Sequence, residues 1–121
     1  MSTEIGEVHT GTTTIDSGST LVVQGSSGSV SSSSGIVNNG TLNFDNNTST
    51  YANVISGTGN LAALNNSTLT LSGTNTYTGT TTIDSGATLS LSGAGSIATS
   101  SAVNVDGTFD ISQVTLSLIH I

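Results

Sequence analysis

The sequence contains no Lys, no Arg, no Cys, no Pro and no Trp, and only two Tyr and two Phe among its 121 residues. Without Lys or Arg, and with its two His neutral, the chain has a formal charge of −7. Nucleic-acid binding needs cations to neutralise phosphates, and attachment to anionic lipid needs them too, so neither function is expected. The absence of Cys removes disulfides, thiolate metal sites and cysteine nucleophiles. No apolar run approaches the length that spans a bilayer. The opening Met1-Ser2-Thr3-Glu4 lacks the basic and apolar regions of a signal peptide, so an export address is expected outside this chain. Hydrophobic content is low, at 33%, but disordered chains also tend to be rich in charge and Pro, and here only 6% of residues are charged. A regular structure fits that combination better than an unfolded one.

What fills the chain is small and polar: Ser, Thr, Gly and Asn together make up more than half of it. Ser, Thr and Asn compete for backbone hydrogen bonds and Gly loses the most chain entropy, which together disfavour helix. Strands and turns remain, with Val, Ile, Leu and Ala to fill the interior.

The chain also repeats itself. Thr10-Gly11-Thr12-Thr13-Thr14-Ile15-Asp16-Ser17-Gly18 recurs unchanged as Thr78-Gly79-Thr80-Thr81-Thr82-Ile83-Asp84-Ser85-Gly86, a displacement of 68. After a slip of one the likeness continues, pairing Val30 with Ile97, Ile36 with Val103, Gly40 with Gly107, Leu42 with Phe109 and Phe44 with Ile111. A finer unit lies inside: an aliphatic residue, a turn containing Gly, and a second apolar residue six positions after the first. The copies are Ile15/Leu21, Ile36/Leu42, Ile55/Leu61, Ile83/Leu89 and Val103/Phe109. Their starting points are evenly spaced except for one interval of 28, between Ile55 and Ile83.

Alternation after the second apolar residue, as in Leu42-Asn43-Phe44 and Leu89-Ser90-Leu91, has the period of a half-buried strand. Units of about 20 residues that stack on one another, each pairing with the next at about 4.7–4.9 Å, define an all-β solenoid. Five coils predict a rod on the order of 24 Å long. The expected inward set is Ile15, Leu21, Val23, Ile36, Leu42, Phe44, Ile55, Leu61, Leu69, Leu71, Ile83, Leu89, Leu91, Val103, Phe109 and Ile111, and the terminal coils, with a neighbour on one side only, should be the weakest.

Ile55-Ser56-Gly57-Thr58-Gly59-Asn60-Leu61, then Leu69 through Ile83 with its Leu71-Ser72-Gly73-Thr74-Asn75-Thr76-Tyr77-Thr78-Gly79 run, then Gly86-Ala87-Thr88-Leu89, resembles the autotransporter-associated β-strand repeat. The core of the likeness covers roughly a third of the chain. The first copy carries Val8-His9-Thr10-Gly11 where the later one has Asn75-Thr76-Tyr77-Thr78-Gly79. The resemblance implies a single-stranded right-handed parallel β-helix, part of a passenger exported to the surface or surroundings of a Gram-negative bacterium. It also implies covalent continuity with further solenoid and with a translocator barrel, so the chain is expected to be a fragment. Residues 1–113 are read as the solenoid. Residues 114–121 are read as a tail foreign to it, with one more strand as the alternative, since Val114, Leu116 and Leu118 alternate with Thr115 and Ser117.

Chemistry is thinly provisioned, and no catalytic, cofactor-binding or metal residue is assigned. A Ser-His-Asp triad would need His9 or His120, near the two chain ends. Asp106 and Asp110, four apart around Gly107, could form a carboxylate pair for glycan cleavage, but Asp beside a Gly corner is more simply a turn residue. Asp16 and Asp84 precede Ser-Gly in both copies, yet calcium needs six to eight oxygens and no calcium-loop motif accompanies them. Gly57-Thr58-Gly59 and Gly93-Ala94-Gly95 lack the Gly-Lys-Ser/Thr of a phosphate loop and read as turns. Asn46, Asn47, Asn65 and Asn66 satisfy the glycosylation pattern, as a chain of this composition does by chance. Thr12/Thr14, Thr48/Thr50, Thr68/Thr70, Thr74/Thr76 and Thr80/Thr82 form Thr-x-Thr tripeptides that could bind ice if they lay on consecutive rungs of one face. The best copies, Thr12/Thr14 and Thr80/Thr82, instead recur with the long duplication.

The reading that follows is a structural stalk or spacer with no enzymatic activity and no cofactor, with host-surface or polysaccharide ligands for any adhesive role. An ice-binding Thr ladder and a carbohydrate-binding or carbohydrate-cleaving β-helix are the alternatives.

Overall fold

The computed structural model describes residues 2–4, 11–26 and 28–114. Every element among them is a strand: β1 (Ser2–Glu4), β2 (Thr12–Ile15), β3 (Thr20–Gln24), β4 (Gly35–Asn38), β5 (Thr41–Asp45), β6 (Thr48–Tyr51), β7 (Ile55–Ser56), β8 (Asn60–Leu64), β9 (Thr68–Leu71), β10 (Thr80–Ile83), β11 (Thr88–Gly93), β12 (Ala102–Val105) and β13 (Thr108–Val114). The strands pair in parallel, and the chain visits three sheets in turn. The six-stranded face is ordered β1-β3-β5-β8-β10-β12, the four-stranded face β13-β11-β9-β6, and the three-stranded face β2-β4-β7. The protein is a three-sided β-solenoid of about five coils. Beyond β7 the third side continues without regular strands: the amides of Thr76 and Tyr77 both donate to the Ile55 carbonyl, at 2.9 and 3.1 Å.

Register turns this path into columns of equivalent side chains. On the six-stranded face Leu21, Leu42, Leu61, Thr81 and Val103 lie one above another, and beside them Val23, Phe44, Ala63, Ile83 and Val105. The four-stranded face contributes Leu69, Leu89 and Phe109, with Tyr51, Leu71 and Leu91 alongside. Thr13, Ile36 and Ile55 form the column of the third side. Along each strand buried and solvent-facing positions alternate, because successive Cβ atoms point to opposite faces.

The five sequence copies are not structurally equivalent. Ile15/Leu21, Ile36/Leu42 and Ile55/Leu61 span the corner from the three-stranded to the six-stranded face, whereas Ile83/Leu89 and Val103/Phe109 span the next corner, from the six-stranded to the four-stranded face. The interval of 28 between the third and fourth copies is therefore one coil plus one face. The coils themselves are uniform, since Leu21, Leu42, Leu61, Thr81 and Val103 follow one another at nearly equal steps along the chain. In the same way the displacement of 68 is three coils plus one face, so one nonapeptide builds β2 on the three-stranded side and β10 on the six-stranded side. Strand, corner and strand are interchangeable between faces because each face asks the same thing of its sequence.

Corner chemistry is local. Gly18 and Gly86, in the two nonapeptide copies, take φ of 84° and 85°, a conformation open to Gly because it has no Cβ. Where Gly86 sits, the preceding coils use Asn46 and Asn65–Asn66, also at positive φ, which Asn tolerates. Gly40, Gly59 and Gly79 stack at the other corner for a different reason. A Cβ on each would lie 2.1–2.2 Å from the carbonyl oxygen of the coil beneath, that of Ser19, Gly40 and Gly59 respectively.

Most of the expected inward set is buried, and Val30, Tyr51, Ala63, Tyr77, Ala87 and Ile97 join it. Two members are corrected. Val103 and Ile111 are 39% and 50% exposed, and Phe109 is only half-buried. Val103 does stand in the inward column over Thr81, but no described coil covers it, so register alone does not remove it from water. Of the tail expected from residue 114, Val114 closes β13 and packs partly against the core, and the remainder lies outside the described residues.

Candidate functional site

A chain this rich in hydroxyls cannot keep all of them outside. Thr13, Ser33, Asn38, Asn47, Ser67, Asn75 and Thr81 are buried, and burial without a partner would cost each about 1–3 kcal/mol. Among the described residues no buried side-chain nitrogen or oxygen lacks a partner.

The partners form clasps between coils. Thr13 Oγ1 meets Ser33 Oγ at 2.8 Å, and Ser33 Oγ donates to the carbonyls of Gly11 (2.8 Å) and Gly35 (2.9 Å). Their counterparts in the second copy repeat the arrangement: Thr81 Oγ1 meets Ser100 Oγ at 2.8 Å, and Ser100 Oγ donates to Gly79 (2.7 Å) and Ala102 (3.1 Å). The duplication therefore carries a hydrogen-bonded device as well as a turn. In the second copy Tyr77 extends it, its hydroxyl 2.6 Å from Thr81 Oγ1. Burial pushes the Tyr77 phenol up to about 12. Tyr51, whose hydroxyl donates to the Ser33 carbonyl at 3.0 Å, is raised for the same reason. The position matching Tyr77 in the first copy is His9, outside the described residues.

Buried Asn side chains complete the interior. Asn47 Nδ2 donates to Gly25 O and Gly28 O at 2.7 and 2.8 Å, and Asn47 Oδ1 accepts from Ser49 Oγ. Asn75 Oδ1 accepts from the Ile55 amide at 2.8 Å.

Among the described residues the Asp side chains are spread over the corners and faces of the rod, and only Asp84 and Asp106 are neighbours. Asp16 lies at the corner between the three- and six-stranded faces, Asp84 and Asp106 on adjacent rungs at the next corner, and Asp110 on the four-stranded face. Asp16 and Asp84 serve their turns through backbone carbonyls, accepting from Ser19 N and Ala87 N, each at 2.9 Å. Asp110 Oδ1 accepts from Ser112 N at 2.9 Å, and the hydrogen bonds from Ser112 lower its pKa. That bond is a turn within β13, away from Gly107. No group of three or more His, Asp or Glu that could hold a metal exists among the described residues. Both Gly-x-Gly segments are turns, with Gly57 and Gly93 at positive φ. His120 lies outside the described residues.

The Thr-x-Thr tripeptides divide among the three sides. Thr12/Thr14 sit on the three-stranded face, Thr74/Thr76 on its irregular continuation, and Thr80/Thr82 on the six-stranded face. Thr48/Thr50 and Thr68/Thr70, however, occupy adjacent rungs of the four-stranded face in direct register. Above them come Thr88 and Ser90, then Thr108 and Asp110. The outward surface is thus a column of Thr48, Thr68, Thr88 and Thr108 on four successive rungs, beside a column of Thr50, Thr70 and Ser90. A tripeptide search misses Thr88 and Thr108. The signal that finds them is plainer, a Thr returning once per coil at the same place in the strand.

At the C-terminal end a groove of about 740 Å³ opens among Leu91, Ile97, Val103, Phe109, Ile111 and Val114. It is the apolar interior seen end-on, at the last described coil.

Comparison with family models, with curated proteins and with solved structures finds no match.

Proposed function

We propose that this chain is a rigid spacer, one stretch of a longer β-solenoid in a secreted or surface-displayed passenger of the autotransporter kind. The observation that carries the reading is the unbroken register: inward columns such as Leu21, Leu42, Leu61, Thr81 and Val103 run through successive coils in parallel pairing, the build of a stiff rod. The sequence likeness of the Leu71–Gly79 run to autotransporter repeats supports the same reading. A spacer works by geometry: in-register hydrogen bonds fix the rise per coil, and buried clasps resist shear between coils. Its outward surface carries acidic and small polar groups, suited to solubility and to polar surface ligands.

The test is the complete reading frame together with a display assay. A downstream translocator barrel, and protease-resistant presentation outside the cell when the chain is fused to one, are the expected results. A downstream enzymatic or dockerin-like module would overturn the autotransporter assignment.

A further inference from the structure

The four-stranded face differs from the others in what it shows to solvent. Reading outward positions up its strands gives Thr48, Thr50, Thr68, Thr70, Ser72, Thr88, Ser90, Ser92, Thr108, Asp110 and Gln113, all hydroxyls but the last two. The corresponding positions of the six-stranded face are mixed, including Thr20, Thr41, Asn60, Val22, Asn43, Ala62 and Leu64. Register is unbroken over the first two columns and shifts only between Ser90 and Ser92.

We propose that this face binds ice, through the column of Thr48, Thr68, Thr88 and Thr108 and the neighbouring column of Thr50, Thr70 and Ser90. Spacing is the first argument. Rungs about 4.8 Å apart and alternate residues about 6.6 Å apart along a strand make a rectangular grid of hydroxyls, close to the two repeats between oxygens on the prism face of hexagonal ice. Availability is the second. None of these seven side chains makes a side-chain hydrogen bond among the described residues, unlike Thr13 and Thr81 inside the rod. Each hydroxyl therefore has its donor and its acceptor sites free for water. Rigidity is the third. β-Branching restricts χ1, and the strands beneath are pinned by buried Leu69, Leu71, Leu89 and Leu91, so water ordered on the grid meets a surface that loses little freedom in binding it. A polysaccharide is the weaker match, because sugar rings favour aromatic platforms, and Phe44, Tyr51 and Tyr77 are buried while Phe109 lines the end groove and not this surface.

The purified chain should facet growing ice crystals and open a thermal-hysteresis gap, read by nanolitre osmometry, that serum albumin at equal molarity does not. Thr68→Tyr combined with Thr88→Tyr should abolish both effects while circular dichroism stays unchanged, and Thr41→Tyr on the six-stranded face should preserve them. Thr68→Ser with Thr88→Ser, which keeps the hydroxyls but frees their rotation, should narrow the gap even if the bulkier pair unfolds. Absence of faceting by the wild type, undiminished activity in the Ser pair, or retention on insoluble cellulose or chitin without ice activity would overturn the proposal. None of these outcomes bears on the spacer reading, which the reading frame decides.

Discussion

Tyr77 shows how a single phenol ties a strand to the coil above it. Ser100 spends its proton on backbone carbonyls, so Thr81 donates to Ser100 and Tyr77 donates to Thr81, a relay that ends on Gly79 O. Only the protonated phenol can start it. Because the folded pKa, about 12, exceeds the unfolded value of 10.0, the folded state holds more protons between the two. Stability contributed by Tyr77 is complete below the unfolded value and is lost as pH rises through the folded one. Thermal melts followed across that range should show a falling alkaline limb, and Tyr77→Phe should flatten it while costing about 1 kcal/mol at neutral pH. Gly59 makes the opposite kind of case, a residue defined by what it lacks. Gly59→Ala would place a methyl 2.2 Å from the Gly40 carbonyl. Backbone cannot yield there as a side chain would, so urea unfolding should report a loss of about 1–3 kcal/mol.

Corners and strands repeat from face to face, and this is why the elements were legible while their placement was not. Aliphatic alternation and Gly spacing predicted strands, turns and most of the core, since burial in a narrow solenoid depends on local period two. Which face a strand joins depends on counting corners. The identical nonapeptide gives no hint that its two copies lie on different sides, and the interval of 28 stands out as uneven without showing that it is a coil plus a face. The buried Ser33 and Asn47 and the partly buried Ser100 were invisible as partners because nothing in a Ser- and Asn-rich string marks which ones turn inward. The Thr column was legible and overlooked, its period being that of the coil rather than of the tripeptide. At this scale the end coil is the weak element: β12 is solvent-exposed along its whole length. Amide hydrogen exchange should be fast on β12 and β13 and slowest on β8 and β9, which have neighbours on both sides; uniform protection from end to end would contradict this.

Across the whole molecule seven acidic side chains stand against no Lys or Arg, so with His neutral every long-range electrostatic term between side chains opposes compaction. Added salt should screen that repulsion and raise the melting temperature monotonically in a differential scanning series, the reverse of a protein held by ion pairs. Cohesion comes instead from backbone ladders and inward columns, which are indifferent to charge and to azimuth. The nonapeptide that serves two sides has a consequence for descent as well as for shape. Gaining or losing the stretch between its two copies by recombination would lengthen or shorten the rod and also turn everything downstream of the breakpoint by a third of a revolution. A pattern displayed toward one neighbour would then be presented to another with no change in its own sequence.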